Sequence, residues 1–386
     1  MIDNPFTFLS ILMLIASSLV YLEYRFKWRF FEILPPIVIL YFLVMSLSSI
    51  GLFEKNQDID SLYSSLKRYI LPAMIFLMLL QSDIRVILKL GKRTLFTFFL
   101  ASFTISVAFI ITFFLFHNHF DSSAWKAFGA LSGSWLGGTS NMIAIQEALG
   151  LEDSKLGYVL LIDSIDYAIW VMILLSLVPF ASKFNRWVGI NSIAIEDSKS
   201  LEIREKGFIN FPNIFLMLSL SLIISAMSWA MASNLPTSTF WTKTTWAVVL
   251  ATVVGILAGL TPLNRQESAS VLSNIMLYII IALIASRASF TELKEAPLYI
   301  FSGFIIITIH ASLMVLFGKI FKLDLFSLGV ASLANIGGIA SAPILAGAYN
   351  RSLIPIGILM AMVGYIIGTF VGLFVSKILY LIYINF

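Results

Sequence analysis

The chain has 386 residues, of which 59% are hydrophobic and only 12% charged, where a soluble domain carries roughly 25%. Mean hydropathy is +0.94 and there is no cysteine. These values exclude a soluble enzyme, a disordered chain, a fibrous repeat and a disulfide scaffold. They leave an all-α polytopic membrane protein. The net charge of +4 is expected to reflect Lys and Arg in cytoplasmic loops, so no nucleic-acid partner is expected.

Six apolar segments are predicted in the first half, at 5–22, 33–53, 69–81, 94–116, 127–149 and 156–180. A polar stretch, 181–210, follows; it contains Lys183, Arg186, Lys199, Arg204 and Lys206. Six further segments follow at 211–233, 244–261, 270–286, 297–318, 326–349 and 353–384. The expectation is 10–12 transmembrane helices, since a span needs about 20 apolar residues. The opening segment has no basic residues before it, so it reads as a retained span rather than a signal peptide.

The 127–149 and 326–349 segments are rich in Gly, Ser and Asn. They align without a gap at an offset of 200. Gly129 meets Gly329, Ser132 meets Ser332, and Gly137-Gly138 meets Gly337-Gly338; Ala148 meets Ala348 and Gly157 meets Gly357. This points to an internal duplication, 1–180 and 211–386, joined by the 181–210 linker. Basic residues in 23–32, 83–93 and the linker place all three in the cytoplasm and the N-terminus outside. The first half must then cross an odd number of times, so one of its six segments, 127–149 or 69–81, does not cross fully or is not a separate span, and the two repeats are expected to be inverted.

Adjacent glycines weaken a helix, by about 1 kcal/mol each. Irregular backbone at membrane depth must be buried in protein or line a cavity. Both small-residue segments therefore read as helix–break–helix elements that cross near the midplane. Gly137, Gly138, Thr139, Ser140 and Asn141 of the first break, with Asn335, Gly337, Gly338 and Ser341 of the second, are the candidate solute-binding residues. Thr139, Ser140 and Asn141 are expected to cap a restarting half-helix, and Pro343 to sit in its first turn. Half-helix N-termini favour an anionic solute.

Asp163 and Asp166 lie inside an apolar run, and their spacing puts them on one helix face. Carboxylates in a bilayer mark ion or proton pathways. The duplicate positions hold Val363 and Ile366, so this pair belongs to one half only, which fits a coupling site for Na+ or H+. Glu147 is a third coupling candidate. His117, His119 and Asp121 read as a polar loop, and Arg287 as a snorkelling residue. His310 lies mid-span, where it would pack against a polar neighbour or titrate. Without a Walker, HExxH or GxSxG motif, neither an ATP-driven pump nor a familiar hydrolase is supported.

The segments GALSGSWLGGTSNMIAIQEALG and ASLANIGGIASAPILAGAYN, with MLLQSDIRVILK before the first, resemble the membrane family called domain of unknown function 819. That family is similar to sodium/proton antiporters and bile acid/sodium symporters. The resemblance implies inverted repeats, two crossing broken helices, a mobile core against a scaffold, and a homodimer. It also implies ion-binding acids on the helix after the first break, where Asp163 and Asp166 stand. The functional expectation is an ion-coupled secondary transporter of a small anionic organic solute, not an enzyme. Its expected partners are membrane lipid, the solute and a second copy; no cofactor is expected unless Na+, rather than H+, is the ion held at Asp163 and Asp166. The alternative is a cation/proton antiporter without organic solute. The expected location is the cell membrane.

Overall fold

The structure is a computed structural model that describes residues 1–26, 31, 35–54, 56–190, 209–238, 240–288 and 296–386. Among these the chain is helical, with one isolated bridge between Ile2 and Phe53. The first half holds α1 (Pro5–Phe26), α2 (Pro36–Ser49), α3 (Gln57–Leu80), α4 (Gly91–Phe116), α5 (Ala124–Gly137), α6 (Thr139–Leu149) and α7 (Leu156–Leu177). A short α8 (Ala181–Val188) follows. The second half holds α9 (Phe211–Ser233), α10 (Lys243–Ala258), α11 (Ser268–Ala285), α12 (Ala296–Phe321), α13 (Leu325–Ile336), α14 (Gly338–Tyr349) and α15 (Ile354–Asn385).

Eight of these helices are long and apolar enough to cross a membrane: α1, α3, α4, α7, α9, α11, α12 and α15. The protein is an all-α, multi-pass integral membrane protein. Short α2, α10, α13 and α14 are apolar too.

Three boundaries differ from the sequence expectation. The 69–81 segment is the second half of a longer helix, α3. Asp58, Asp60, Lys67 and Arg68 lower the hydropathy of its first turns, yet Asn56 caps the helix by accepting from the Ile59 N–H at 2.9 Å. The polar stretch after residue 180 begins as α8, which packs on α12 and α13. Its Asn185 Oδ1 accepts from the Leu325 N–H at 3.0 Å. The stretch beyond, 191–208, with Lys199, Arg204 and Lys206, lies outside the described residues. Pro343 is inside α14, past its first turn.

The helices sort into two bundles. One is α1–α3 with α9–α11; the other is α4–α7 with α12–α15. Each bundle thus takes corresponding helices from both halves of the chain, at close to the 200-residue offset of the glycine motifs.

In the second bundle, α5 and α15 run antiparallel along facing glycines. A Cβ on Gly129 would lie 2.4 Å from Ser376 Oγ, one on Gly372 3.1 Å from Gly133 Cα, and one on Gly368 2.7 Å from Gly137 Cα. Lipid offers no hydrophobic drive for helix association, so such close backbone approach supplies the packing. In the first bundle, Pro72 removes an N–H from the interior of α3. Trp229 Nε1 of α9 donates to the freed Arg68 carbonyl at 2.7 Å, and Ser225 Oγ donates to the Tyr69 carbonyl at 2.6 Å. A neighbouring helix thus satisfies the backbone that the proline leaves open.

Candidate ion and solute site at the helix breaks

Both predicted breaks are present. The first lies at Gly138, between α5 and α6, with φ 86° and ψ 170°. The second lies at Gly337 and Gly338, between α13 and α14, and Gly338 has φ 59°. These φ values suit glycine, because a Cβ would clash with the backbone.

The two breaks converge on α15. A Cβ on Gly138 would sit 3.2 Å from the Tyr365 ring, and one on Gly338 3.8 Å from the same ring. The neighbouring Gly364 lies under the last turns of both first half-helices: its Cβ would be 3.1 Å from the Leu136 carbonyl and 3.4 Å from the Ala334 carbonyl. Tyr365 therefore stands between the breaks. Repeat alignment did not reveal it, since position 165 holds Ile.

Asn141 does not cap α6, as the sequence suggested. It lies fully buried, and its Nδ2 reaches back to the Gly137 carbonyl at 2.5 Å. Thr369 Oγ1 of α15 donates to its Oδ1. Asn141 thus satisfies the end of α5 rather than the start of α6. Asn335 is buried and equally committed, since Ser102 Oγ of α4 donates to its Oδ1 at 2.7 Å and its Nδ2 donates to the Ala331 carbonyl at 2.9 Å. The space over Gly337 is filled by Ser341 Oγ and the Tyr167 ring. Of the predicted solute residues, Thr139 and Ser140 remain half-buried at the first turn of α6.

α7 brings the acidic pair to the same place. Asp163 Oδ1 accepts from Ser134 Oγ at 2.9 Å and from Trp135 Nε1 at 3.1 Å, both near the end of α5. Asp166, about one turn on, is fully buried, and among the described residues neither carboxylate oxygen has a hydrogen-bond partner. It faces α12 at Gly303, where a Cβ would fall on its Oδ2 and within 2.7 Å of Ile162 Cγ2. Glycine at 303 is what makes room for this carboxylate. Nothing in the composition of α12 singled it out.

His310 is a satisfied core histidine. The Thr104 hydroxyl donates to the Ala101 carbonyl at 2.9 Å, so its oxygen receives the His310 Nδ1 proton at 2.8 Å. Nε2 then accepts from Ser332 Oγ at 2.8 Å, and that oxygen accepts from Trp170 Nε1 at 2.9 Å. This arrangement is the neutral tautomer with both nitrogens used.

Glu147 is elsewhere. It lies near the far end of α6 and pairs with Lys67 of α3 at 2.6 Å. Lys67 also holds Asp153 at 2.5 Å, and Tyr63 donates to Asp153 Oδ2. Gln146 Nε2 donates to Asp153 Oδ1 at 3.0 Å, and Tyr41 Oη donates to the Asp153 carbonyl at 3.1 Å. The sequence reading missed Lys67 and Asp153. A lysine bordering an apolar segment was the available signal.

Asp121 sits outside the spans and is paired with Lys155. Burial alone would raise its carboxyl, but the hydrogen bonds from Lys155 and Ser123 outweigh that and hold it below the usual carboxylate range. His117 and His119 stay in this loop region, on a short turn after α4. Arg287 lies over the Tyr63 ring and pairs with Asp60.

A family model described as Protein of unknown function (DUF819) matches residues 10–382. The chain belongs to the DUF819 family. The Bacillus subtilis (strain 168) protein called Uncharacterized membrane protein YjcL is 24% identical to this DUF819 protein over 380 residues, 94% of this chain and 93% of that one. The match runs through both breaks and both bundles, so this helical arrangement falls within one family unit.

Proposed function

We propose that this DUF819 protein is an ion-coupled secondary transporter of a small anionic solute. Asp166 carries the reading. A buried carboxylate with no protein partner is expensive when charged. A proton or Na+ supplied there relieves that penalty, and Asp163, one turn away, provides a second oxygen ligand. Cation binding would thus neutralise the region before it passes an apolar barrier. Thr139 and Ser140, at the start of α6, are the groups left for solute, where the half-helix N–H groups favour negative charge. The second bundle would move as the core and the first would act as scaffold, in repeats inverted in the membrane plane, in a homodimer of the cell membrane with its N-terminus outside.

A second reading, cation/proton antiport without organic solute, draws support from the commitment of Asn141 and Asn335 to helix–helix bonds. That leaves few groups at the crossing for an organic ligand.

The test is thermal unfolding of the detergent-purified protein in Na+, K+ and Li+ at several pH values, beside the Asp163→Asn/Asp166→Asn variant. A ligand that binds only the folded state raises its stability by mass action. The reading expects a cation or proton response that the double variant loses. Identical curves for both proteins under all conditions would sink it. Solute-free liposomes then separate the two readings: proton flux driven by Na+ or K+ favours the antiporter.

A further inference from the structure

A cavity of about 280 Å³ lies well away from the breaks, between α3, α6, α9 and α10. Its walls include Tyr63, Lys67 and Arg68 of α3, Glu147 of α6, Trp229 of α9 and Thr244 of α10. Among the described lining residues, Glu147 alone comes from the second bundle. The cavity lies about 12 Å along α6 from Thr139, at 1.5 Å rise per residue.

The charges lining it are uneven. Two cations, Lys67 and Arg68, face one carboxylate, Glu147. Lys67 and Glu147 are only 13% and 16% exposed, so their pairing is a semi-buried one. Lys67 has a second carboxylate, Asp153, behind it, and keeps its charge compensated if Glu147 leaves. Arg68 is exposed, with its guanidinium 4.3 Å from the centre of the Trp229 ring. A stacked, planar guanidinium is pre-organised for a carboxylate.

The polar contacts between the two bundles gather at the same corner. Lys67 reaches Glu147 and Asp153, Tyr41 reaches the Asp153 carbonyl, and Thr245 Oγ1 of α10 donates to the Ala148 carbonyl at 2.9 Å. Glu147 is therefore both a lining group of the cavity and a tie between bundles.

We propose that this cavity is an entry site for a small organic carboxylate, which takes the place of Glu147 at Lys67 with Arg68 as its second cation. Resting on the transporter reading, this names the solute class and its first point of contact. Freeing Glu147 removes one tie between the bundles, so solute entry and core release draw on the same ion pair.

The test uses acetate, succinate and benzoate as probes, with chloride at equal ionic strength and fixed Na+ as the reference. Thermal unfolding midpoints are read for the wild-type chain and for Glu147→Gln, Lys67→Gln and Arg68→Gln. At least one carboxylate is expected to raise the wild-type midpoint beyond chloride. Glu147→Gln, which removes the competitor, should respond at about tenfold lower probe concentration. Arg68 is exposed, so its variant folds even if Lys67→Gln does not, and it should lose most of the response. Carboxylates acting no differently from chloride in both wild type and Glu147→Gln would overturn the proposal. So would an Arg68→Gln response equal to wild type. Repeating the titration in Asp166→Asn separates the two ideas: a carboxylate response kept there, with no cation response in any variant, supports this site while the cation reading fails.

Discussion

The two helix breaks differ in what an added methyl would meet. Gly138 has φ 86° and ψ 170°, a combination open almost only to glycine. Gly338 also has a positive φ, 59°, which costs an alanine about 1 kcal/mol or more. The surroundings separate the two sites. A methyl at 138 would meet the Tyr365 ring at 3.2 Å, tighter than ordinary contact, whereas at 338 the ring lies at 3.8 Å. Gly138→Ala should therefore cost about 2–3 kcal/mol, combining backbone strain with mild overpacking. Gly338→Ala should cost about 1 kcal/mol. Reversible unfolding in mixed micelles, followed by tryptophan fluorescence or by the rate of cysteine capture at an introduced buried site, reads both. Tyr365→Leu should recover a few tenths of a kcal/mol in Gly138→Ala and nothing in Gly338→Ala, because only the first has a ring in its way. Equal losses at the two sites, or a larger loss at 338, would refute this account of the breaks.

Other outcomes follow from single contacts. Gly372→Ala puts a methyl 2.3 Å from Ile145 Cδ1 and 3.1 Å from Gly133 Cα, so it should lower stability by about 1–3 kcal/mol; Gly189→Ala, with nothing within 4 Å of its Cβ, should lose only the backbone part, about 1 kcal/mol, and unfolding midpoints compare them. Asp166→Asn keeps the shape of an unpartnered group and removes its charge, so at low cation it should be at least as stable as wild type; a loss above about 2 kcal/mol would reveal a satisfied structural carboxylate instead. Lys67→Met leaves Glu147 and Asp153 facing each other without a cation and should cost about 3 kcal/mol, with much of it restored by Glu147→Gln in the same chain. For Asp121 the sign is set by a lowered carboxyl. Its pairing stabilises the fold above the ordinary value of 3.8 and is lost as pH falls through the lower folded value. The difference between wild type and Asp121→Asn should therefore be constant near neutrality and shrink below about pH 4.

Helices and breaks were readable because their causes are local. Long apolar runs specify spans, and the paired glycines specify the interruptions. The start of α3 was harder to see, because its apolar residues share the helix with four charged ones. Its true length depends on a cap at Asn56 and on burial against other helices, neither of which shows in a hydropathy average. Asp163 and Asp166 stood out as charges in an apolar run. Their unequal circumstances did not, since Asp163 draws two donors from α5 while Asp166 draws none. Asn141 and Asn335 were chosen as ligands because they are polar residues at the two breaks. Each instead bonds back to a carbonyl four residues earlier, Gly137 or Ala331, and to a side chain on another helix, Thr369 of α15 or Ser102 of α4, and those distant partners no spacing rule encodes. Lys67, Glu147 and Asp153 assemble from three elements, so the cluster was invisible along the chain.

The placement of polar groups also bears on how the bundles could part. Within the second bundle, α5 and α15 meet along backbone at glycine distances, and His310, Ser332 and Trp170 bond across α12, α13 and α7. Such contacts hold one arrangement, because close-packed interiors transmit strain rather than absorb it. Between the bundles, the ties near residues 146–153 rest on a few side chains that water or a ligand can replace. Motion is therefore easier between the bundles than within either one. Asp163, Asp166, Tyr365 and both breaks all belong to the second bundle, so they would travel together as one unit. Glu147 would travel with them while Lys67 would stay behind. An ion pair that would have to break for such motion is a suitable place for a ligand to act, and the carboxylate proposed for the cavity beside Lys67 would act there.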